Sequence, residues 1–527
     1  MLRKVLAVWR EVLALTTRRA RGRIAARGSE APMDPALWNL MESGPSDEEV
    51  SVIVRLRDAN VVPSGIRVVA NFGTILTARL PRGGVQRLWE DDGVISVKAP
   101  RVLLSPAPFE DDELDAGAEE SASAQVPPLP SVPEDGRGVV VGICDWGFDF
   151  THANFRRPDG TTRLRALWDQ RGHHASSPAP YGYGRVHRAP EIDAALRSAD
   201  PFAALDYDPS HSDPGGQGSH GTHVADILAG NRREPGSSVG LAGGADLIFV
   251  HLSADPVEGL ANFGDSVRLL EGLDFVRREA GDAPCVMHLS AGKTGGAHCG
   301  ETPFEQAVDA MVASRPGLAL IQSVGNYADS AMHTHVRIGP DQSHVIVWLI
   351  SPRDQTPNEL ELWYSGHDVL DATLVSPGGV EFDVPLGQRT HLRHRDEDWG
   401  SFHHRFNEPN SGMNHIDIFL HRSAPAGRWR LALRGREIVD GRLHAWIERD
   451  ARGRHQSRFL RSQATSRYTT NTIANSFRAI AVGAYDAGRP ERPAAYFSSR
   501  GPTADGRQKP ELVAPGFRIQ AARSTPR

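Results

Sequence analysis

Val139-Val140-Val141-Gly142-Ile143-Cys144-Asp145-Trp146-Gly147-Phe148-Asp149 is the stretch whose reading decides the fold. An uncharged run rich in β-branched residues is what a strand covered on both faces requires, and such strands belong to parallel sheets. This one delivers an acid, Asp145, at its carboxyl end. Ligand chemistry in open α/β sheets gathers at that end, which makes Asp145 a candidate functional carboxylate.

Downstream, the pattern alternates. Gly218-Ser219-His220-Gly221-Thr222-His223 is a Gly-rich turn that runs into a helix over 222–230, with Val224, Ile227 and Leu228 expected on its buried face. A strand over Leu247 to Val250 follows, then an amphipathic helix through Leu269, Leu270, Leu273 and Val276, and a strand over Cys285 to Leu289. A helix through Phe304, Ala307, Val308 and Met311 precedes a strand over Leu318 to Ser323. Strands alternating with helices predict an α/β fold, a mostly parallel sheet with helices on both faces.

Upstream, Val50 to Leu56, Phe72 to Leu80 and Val94 to Val97 read as strands and Val85 to Trp89 as a short helix, a small α+β unit. Pro106 to Asp135 is acidic and Pro-rich, too poor in apolar residues to offset the entropy of ordering, and is expected to be a flexible linker. Between Asn326 and Phe497, short strands at Val345 to Ile350, Leu360 to Tyr364, Ala372 to Val375, His415 to Leu420, Trp429 to Leu433 and Leu443 to Ile447 predict an inserted all-β sandwich or jelly roll. Its tryptophans Trp348, Trp363, Trp399, Trp429 and Trp446 read as core rather than as a sugar platform. The expected division is a basic extension over 1–45, the α+β unit over 46–102, the linker over 103–136, the α/β unit over 137–335 and 469–527, and the insertion over 336–468.

A net charge of -6 on 527 residues does not suit a general binder of nucleic acid, and no apolar run is long enough to span a bilayer. Arg10-Glu11 interrupts the only apolar stretch near the N-terminus, so no export signal is expected and a cytoplasmic location is slightly favoured. Three cysteines, Cys144, Cys285 and Cys299, make no disulfide framework. His220, His223 and His211 lack a further ligand at metal spacing, so no zinc and no other cofactor is assigned. Oligomeric state is not legible.

Taken singly, Asp145 reads as a strand-end cap, Asp149 and Asn326 as turn residues, and Ser290-Ala291-Gly292 as a strand end. Their joint order resembles the subtilisin-like serine proteases, the subtilases. Asp145 to Asp149 resembles the family's aspartate motif and Gly218 to Gly230 its histidine motif. Ser290-Ala291-Gly292 is similar to the segment that binds substrate backbone and Val324-Gly325-Asn326 to the oxyanion asparagine. Phe497 to Thr503 and Lys509 to Gly516 are similar to the stretch before the nucleophile. The resemblance implies a catalytic Asp145 and His220, an oxyanion donor in Asn326, a protein or peptide substrate, a propeptide role for the N-terminal unit, and calcium as a common structural ion, for which no acidic loop stands out here. The chemistry agrees: a hydroxyl nucleophile needs a base, and the base needs a carboxylate to hold its tautomer. No Gly-Thr-Ser segment follows Gly516 within these 527 residues. The polypeptide is therefore expected to lack the nucleophile and to be inactive, with a non-catalytic binding protein on the same scaffold as the alternative.

Overall fold

The computed structural model describes residues 33–104, 134–210, 220–233, 240–253, 262–450 and 455–524. Its central sheet has eight strands in the order Leu512–Pro515, Ile480–Tyr485, Leu318–Ser323, Cys285–Leu289, Val140–Asp145, Asp246–His251, Leu164–Asp169 and Arg185–Arg188. Every neighbouring pair is parallel except the last, which is antiparallel. Val140–Asp145 is buried at every position, as its continuous apolar run requires. Helices Ser266–Ala280 and Pro303–Ala313 cover one face, sharing a core with Met287, Leu289 and Leu320. Asp265 caps the first helix through the N–H groups of Val267 and Arg268, and Thr302 with Glu305 forms a capping box on the second. Helix His220–Ala229 lies in the core of the other face, with Ile143, Leu167 and Phe249.

That helix turns a different side to the sheet from the one expected. Ile227 is exposed and Val224 and Leu228 are half-buried, while Gly221, Ala225 and Ala229 are buried. The cause is distance. A Cβ on Gly221 would stand 2.5 Å from the Trp146 carbonyl and 2.6 Å from the Phe249 ring, so the small residues, spaced four apart, form the only stripe that can approach so closely.

The N-terminal sheet has four antiparallel strands in the order Arg67–Phe72, Ile75–Pro81, Glu49–Leu56 and Val94–Lys98. The strand expected over Phe72 to Leu80 begins at Ile75, and Phe72 ends the strand before it in a hairpin. Arg67–Phe72 pairs with Ile75–Pro81 around Gly73-Thr74, and the Asn71 side chain accepts the Gly73 N–H in the turn. Residues 35–42, counted with the basic extension, form helix Pro35–Glu42 instead, because Leu37 is fully buried in this unit's core. The rest of the extension up to residue 32 and the linker between 105 and 133 lie outside the described residues.

The opposite face of the N-terminal sheet sits on the two helices of the central unit. Ile53, Phe72 and Ile75 join Leu269, Leu273, Phe304 and Val308 in one core. Within that contact Arg79 makes two 2.8 Å hydrogen bonds to Glu271, and the Tyr183 hydroxyl donates a third at 2.9 Å.

Between the halves of the central sheet the chain builds two antiparallel sheets face to face. One has six strands, His333–Arg337, Arg442–Ile447, Asn358–Tyr364, Asn414–Leu420, Glu397–Arg405 and Gln388–His394. The other has five, Glu381–Asp383, Val369–Val375, Gly427–Glu437, Ser343–Ile350 and Arg458–Phe459. Trp348, Trp399 and Trp429 lie in the core between them, and Trp363 and Trp446 are also buried. The insertion reaches the N-terminal unit as well. Lys98 bridges Asp34 at 2.7 Å and Glu408 at 3.0 Å, Arg101 pairs with Glu359 at 2.5 Å, and Asn410 accepts from Arg55 and Ser96. Burial opposes these charges, but Lys98 and Arg405 still hold the Glu408 carboxyl down at about 2.

Candidate active site

Asp145 ends its strand with its side chain fully buried. Its Oδ1 accepts the Trp146 N–H at 2.7 Å and lies 2.6 Å from Nδ1 of His220, the first residue of helix His220–Ala229. Oδ2 is buried with no hydrogen-bond partner among the described residues. The two residues stand 75 apart in sequence. Backbone hydrogen bonds splice them together: Gly221 donates to the Trp146 carbonyl at 2.6 Å and Thr222 to the Gly147 carbonyl at 3.0 Å. The Thr222 hydroxyl also accepts the Asp149 N–H at 2.8 Å. Orphan N–H groups of the helix start are thus satisfied by the segment that follows the acid, which fixes the imidazole relative to the carboxylate.

A carboxylate on Nδ1 keeps the proton on that nitrogen and makes Nε2 the basic one. The His220 side chain is 35% exposed, so it can meet a ligand, while the acid behind it is sealed from water. His223, one turn further on, is set apart from this chemistry: its Nε2 meets the Ile519 carbonyl at 3.1 Å, and burial lowers its pKa. Asp226 is likewise occupied, accepting from Asn154 at 2.7 Å and from the Ala522 N–H at 2.8 Å. The Cys144 thiol is buried, and burial with the adjacent Asp145 pushes its pKa up. It is no nucleophile.

Asn326 follows strand Leu318–Ser323 on a loop and is exposed. The loop is held from the distant C-terminal stretch. Ser499 Oγ accepts the Tyr327 N–H at 2.9 Å, the Ser499 N–H donates to the Gly325 carbonyl at 2.9 Å, and Ala328 donates to Phe497. Ser290, Ala291 and Gly292 continue from strand Cys285–Leu289. Ala291 and Gly292 are buried, the Ala291 carbonyl accepts from Gln322 at 2.9 Å, and a Cβ on Gly292 would stand 2.6 Å from Asn471. Among the described residues, no group of three or more His, Cys, Asp or Glu side chains is arranged to hold a metal ion.

One residue of this neighbourhood escaped the sequence reading. His288 sits on the strand beside Val140–Asp145, with Nε2 2.7 Å from Ser290 Oγ, and burial lowers its pKa to about 4 against the pull of Asp145. A histidine alternating into an otherwise apolar strand, two residues before Ser290, was the available signal.

The family model for the subtilase family matches residues 136–350 and 453–526, more than half of the chain. Among solved structures, the CspB protease of Clostridium perfringens is similar over 76% of this chain and 81% of its own, with a TM-score of 0.64 and 22% identity. The epidermin leader peptide processing serine protease of Staphylococcus aureus matches 53% of this chain and 61% of its own at 12% identity, with a TM-score of 0.31. No curated protein is similar in sequence. The CspB likeness establishes the fold, a parallel-rich α/β scaffold accompanied by antiparallel sheets.

Proposed function

We propose, from the premise that this chain belongs to the subtilase family, that it is a serine endopeptidase in which His220 is the general base, Asp145 its orienting carboxylate and Asn326 an oxyanion donor. The observation that carries the reading is the 2.6 Å contact between Asp145 Oδ1 and His220 Nδ1 at the carboxyl end of a buried parallel strand. With the proton held on Nδ1, His220 Nε2 takes the proton of a serine hydroxyl as it attacks the peptide carbonyl, then returns it to the leaving amine. The Asp145 carboxylate stabilises the imidazolium. The Asn326 amide, exposed on a loop anchored by Ser499, is free of the protein interior and available to the developing oxyanion. Ser290-Ala291-Gly292 would hold the substrate backbone.

No serine of the described residues is assigned as nucleophile. Ser498 and Ser499 are buried, their hydroxyls accepting from Ala484 and Tyr327. The N-terminal unit, seated on helices Ser266–Ala280 and Pro303–Ala313, fits a propeptide that covers and inhibits the protease.

The test is casein hydrolysis by two polypeptides. Residues 1–527 alone should be inert. The same chain joined in frame to a segment bearing a Gly-Thr-Ser sequence should cleave casein, and His220→Ala should remove that gain by a factor on the order of 10⁶ in kcat, the size found for a subtilisin. Cleavage by residues 1–527 that survives His220→Ala would refute the assignment. An inert extended chain would favour a non-catalytic binding protein.

A further inference from the structure

Trp146 is the residue after the acid, and nothing in the acid–base mechanism requires an aromatic side chain there. Its indole nevertheless lies flat on His220, with ring centroids 4.1 Å apart and planes within 9°. The ring is buried and its main chain is pinned at both ends. Trp146 is 2% exposed, its backbone N–H donates to Asp145 Oδ1, and its backbone carbonyl accepts from Gly221, the residue after the histidine. One residue thus touches the carboxylate, the helix that carries the base, and the face of the base.

We propose that Trp146 is a positioning residue for the acid–base pair, holding the His220 imidazole in its Asp145-bonded rotamer and stabilising the imidazolium through its π face. The inference rests on the reading of His220 as the base. Two physical effects act in the same direction. A parallel stack at this distance closes one side of the imidazole, so rotation of the ring away from Asp145 must first break the stack. A cation over an indole face is attracted by the ring quadrupole, whereas the neutral imidazole is attracted less, so the protonated state gains more. That state is the one formed when the nucleophile gives up its proton.

Among the described residues, the ionisable groups around the ring come from three elements. Asp145, on the central strand, favours the imidazolium. His223 and Asp226 lie on the same helix, the first with its pKa lowered by burial and bonded to the Ile519 carbonyl, the second bonded to Asn154 and Ala522. His288, on the neighbouring strand, is held neutral by burial. Asp145 alone would raise the affinity of His220 for its proton. The stack adds to it from the perpendicular direction.

The test needs no peptidase activity. Exchange of the imidazole C2 hydrogen, followed peptide by peptide by mass spectrometry as pH is varied, reads the titration midpoint of His220 in residues 1–527. Trp146→Leu keeps apolar bulk and removes the π face, and should lower the midpoint by about 0.5 to 1 unit, a proton affinity weaker by roughly three- to tenfold. Trp146→Phe should fall between Leu and the parent. The midpoint of His223, on the same helix, should hold in both. A Trp146→Leu midpoint equal to the parent's would overturn the proposal, as would a shift of His223 as large as that of His220, which would mean general loosening. Should Trp146→Leu not fold, the smaller fall in Trp146→Phe decides. The peptidase reading fails separately, when a serine-bearing extended chain with an intact midpoint cleaves nothing.

Discussion

Replacing Arg79 by Met tests how the N-terminal unit is held on the protease. Arg79 is 8% exposed and Glu271 not at all, and the guanidinium meets both carboxylate oxygens at 2.8 Å. Burial disfavours the Arg79 charge, yet Glu271 raises its pKa above the usual value, so the guanidinium stays charged throughout the working range. Methionine keeps much of the aliphatic stem and removes both hydrogen bonds. Glu271 is then left with the Tyr183 hydroxyl, a single neutral donor, for a buried charge. Stranding one partner of a buried pair costs about 3 to 5 kcal/mol. The protein can escape part of that cost by letting the N-terminal sheet lift off helices Ser266–Ala280 and Pro303–Ala313, which rehydrates the carboxylate. Urea unfolding should therefore show either the full loss in one transition or an early transition in which the N-terminal unit leaves first. The double change Arg79→Met with Glu271→Leu removes both charges from an apolar contact and should restore most of the loss, since well-packed apolar replacements of buried pairs are often neutral. A cost below about 1 kcal/mol for Arg79→Met with the unit still docked would refute the reasoning, because it would mean that the pair behaves as an exposed one.

Gly221→Ala should cost about 1 to 3 kcal/mol by overpacking against the Trp146 carbonyl and Phe249, and should disturb the stack on His220, read by thermal unfolding together with the His220 titration midpoint. Ser499→Ala strands the buried Tyr327 N–H and should cost about 1 to 3 kcal/mol, with a fall in kcat in any active extended chain because the Asn326 loop loses its anchor. Stability should also fall in mild acid. Burial holds His298 and His404 at about 4 and His444 at about 3, below the ordinary value of 6.5. A buried base with a lowered pKa leaves the unfolded chain to bind more protons below pH about 6.5, so stability present above that value is lost as pH falls towards the folded values. Each such histidine contributes about 2 kcal/mol of loss by pH 5, and a melting temperature flat between pH 7 and 5 would contradict it.

The parallel sheet was legible because its strands are short apolar runs between amphipathic helices, and Val140–Asp145, Cys285–Leu289 and Leu318–Ser323 lie within two residues of their expected positions. What could not be read has physical causes. The buried stripe of helix His220–Ala229 is Gly221, Ala225 and Ala229, chosen by how near the helix comes to Phe249, and hydrophobicity alone pointed to Val224, Ile227 and Leu228. Strand Glu397–Arg405 buries His403, His404 and Arg405, polar residues whose burial depends on partners far away, such as Tyr364 for His404. Strands Leu164–Asp169 and Arg185–Arg188 and helices Ala189–Ala195 and Pro201–Leu205 carry too few periodic apolar residues to stand out. At the candidate site, residue types and order pointed to Asp145 and His220, but the splice through Trp146 and Gly221 that brings them to 2.6 Å is a tertiary fact. The insertion's contacts to Asp34, Lys98 and Arg101 are of the same kind.

In the function proposed above, His220 and Asp145 activate a serine. A fluorophosphonate, which forms a covalent bond only with an activated hydroxyl, tests this when applied to the chain joined in frame to a segment bearing Gly-Thr-Ser and mapped by mass spectrometry. One serine adduct is expected, abolished by His220→Ala and slowed by about 10⁴ in Asp145→Asn, the size of the effect when a protease triad loses its acid. A serine labelled equally well without His220, or no adduct on a chain that carries Gly-Thr-Ser and keeps the 2.6 Å Asp145–His220 contact, would contradict it.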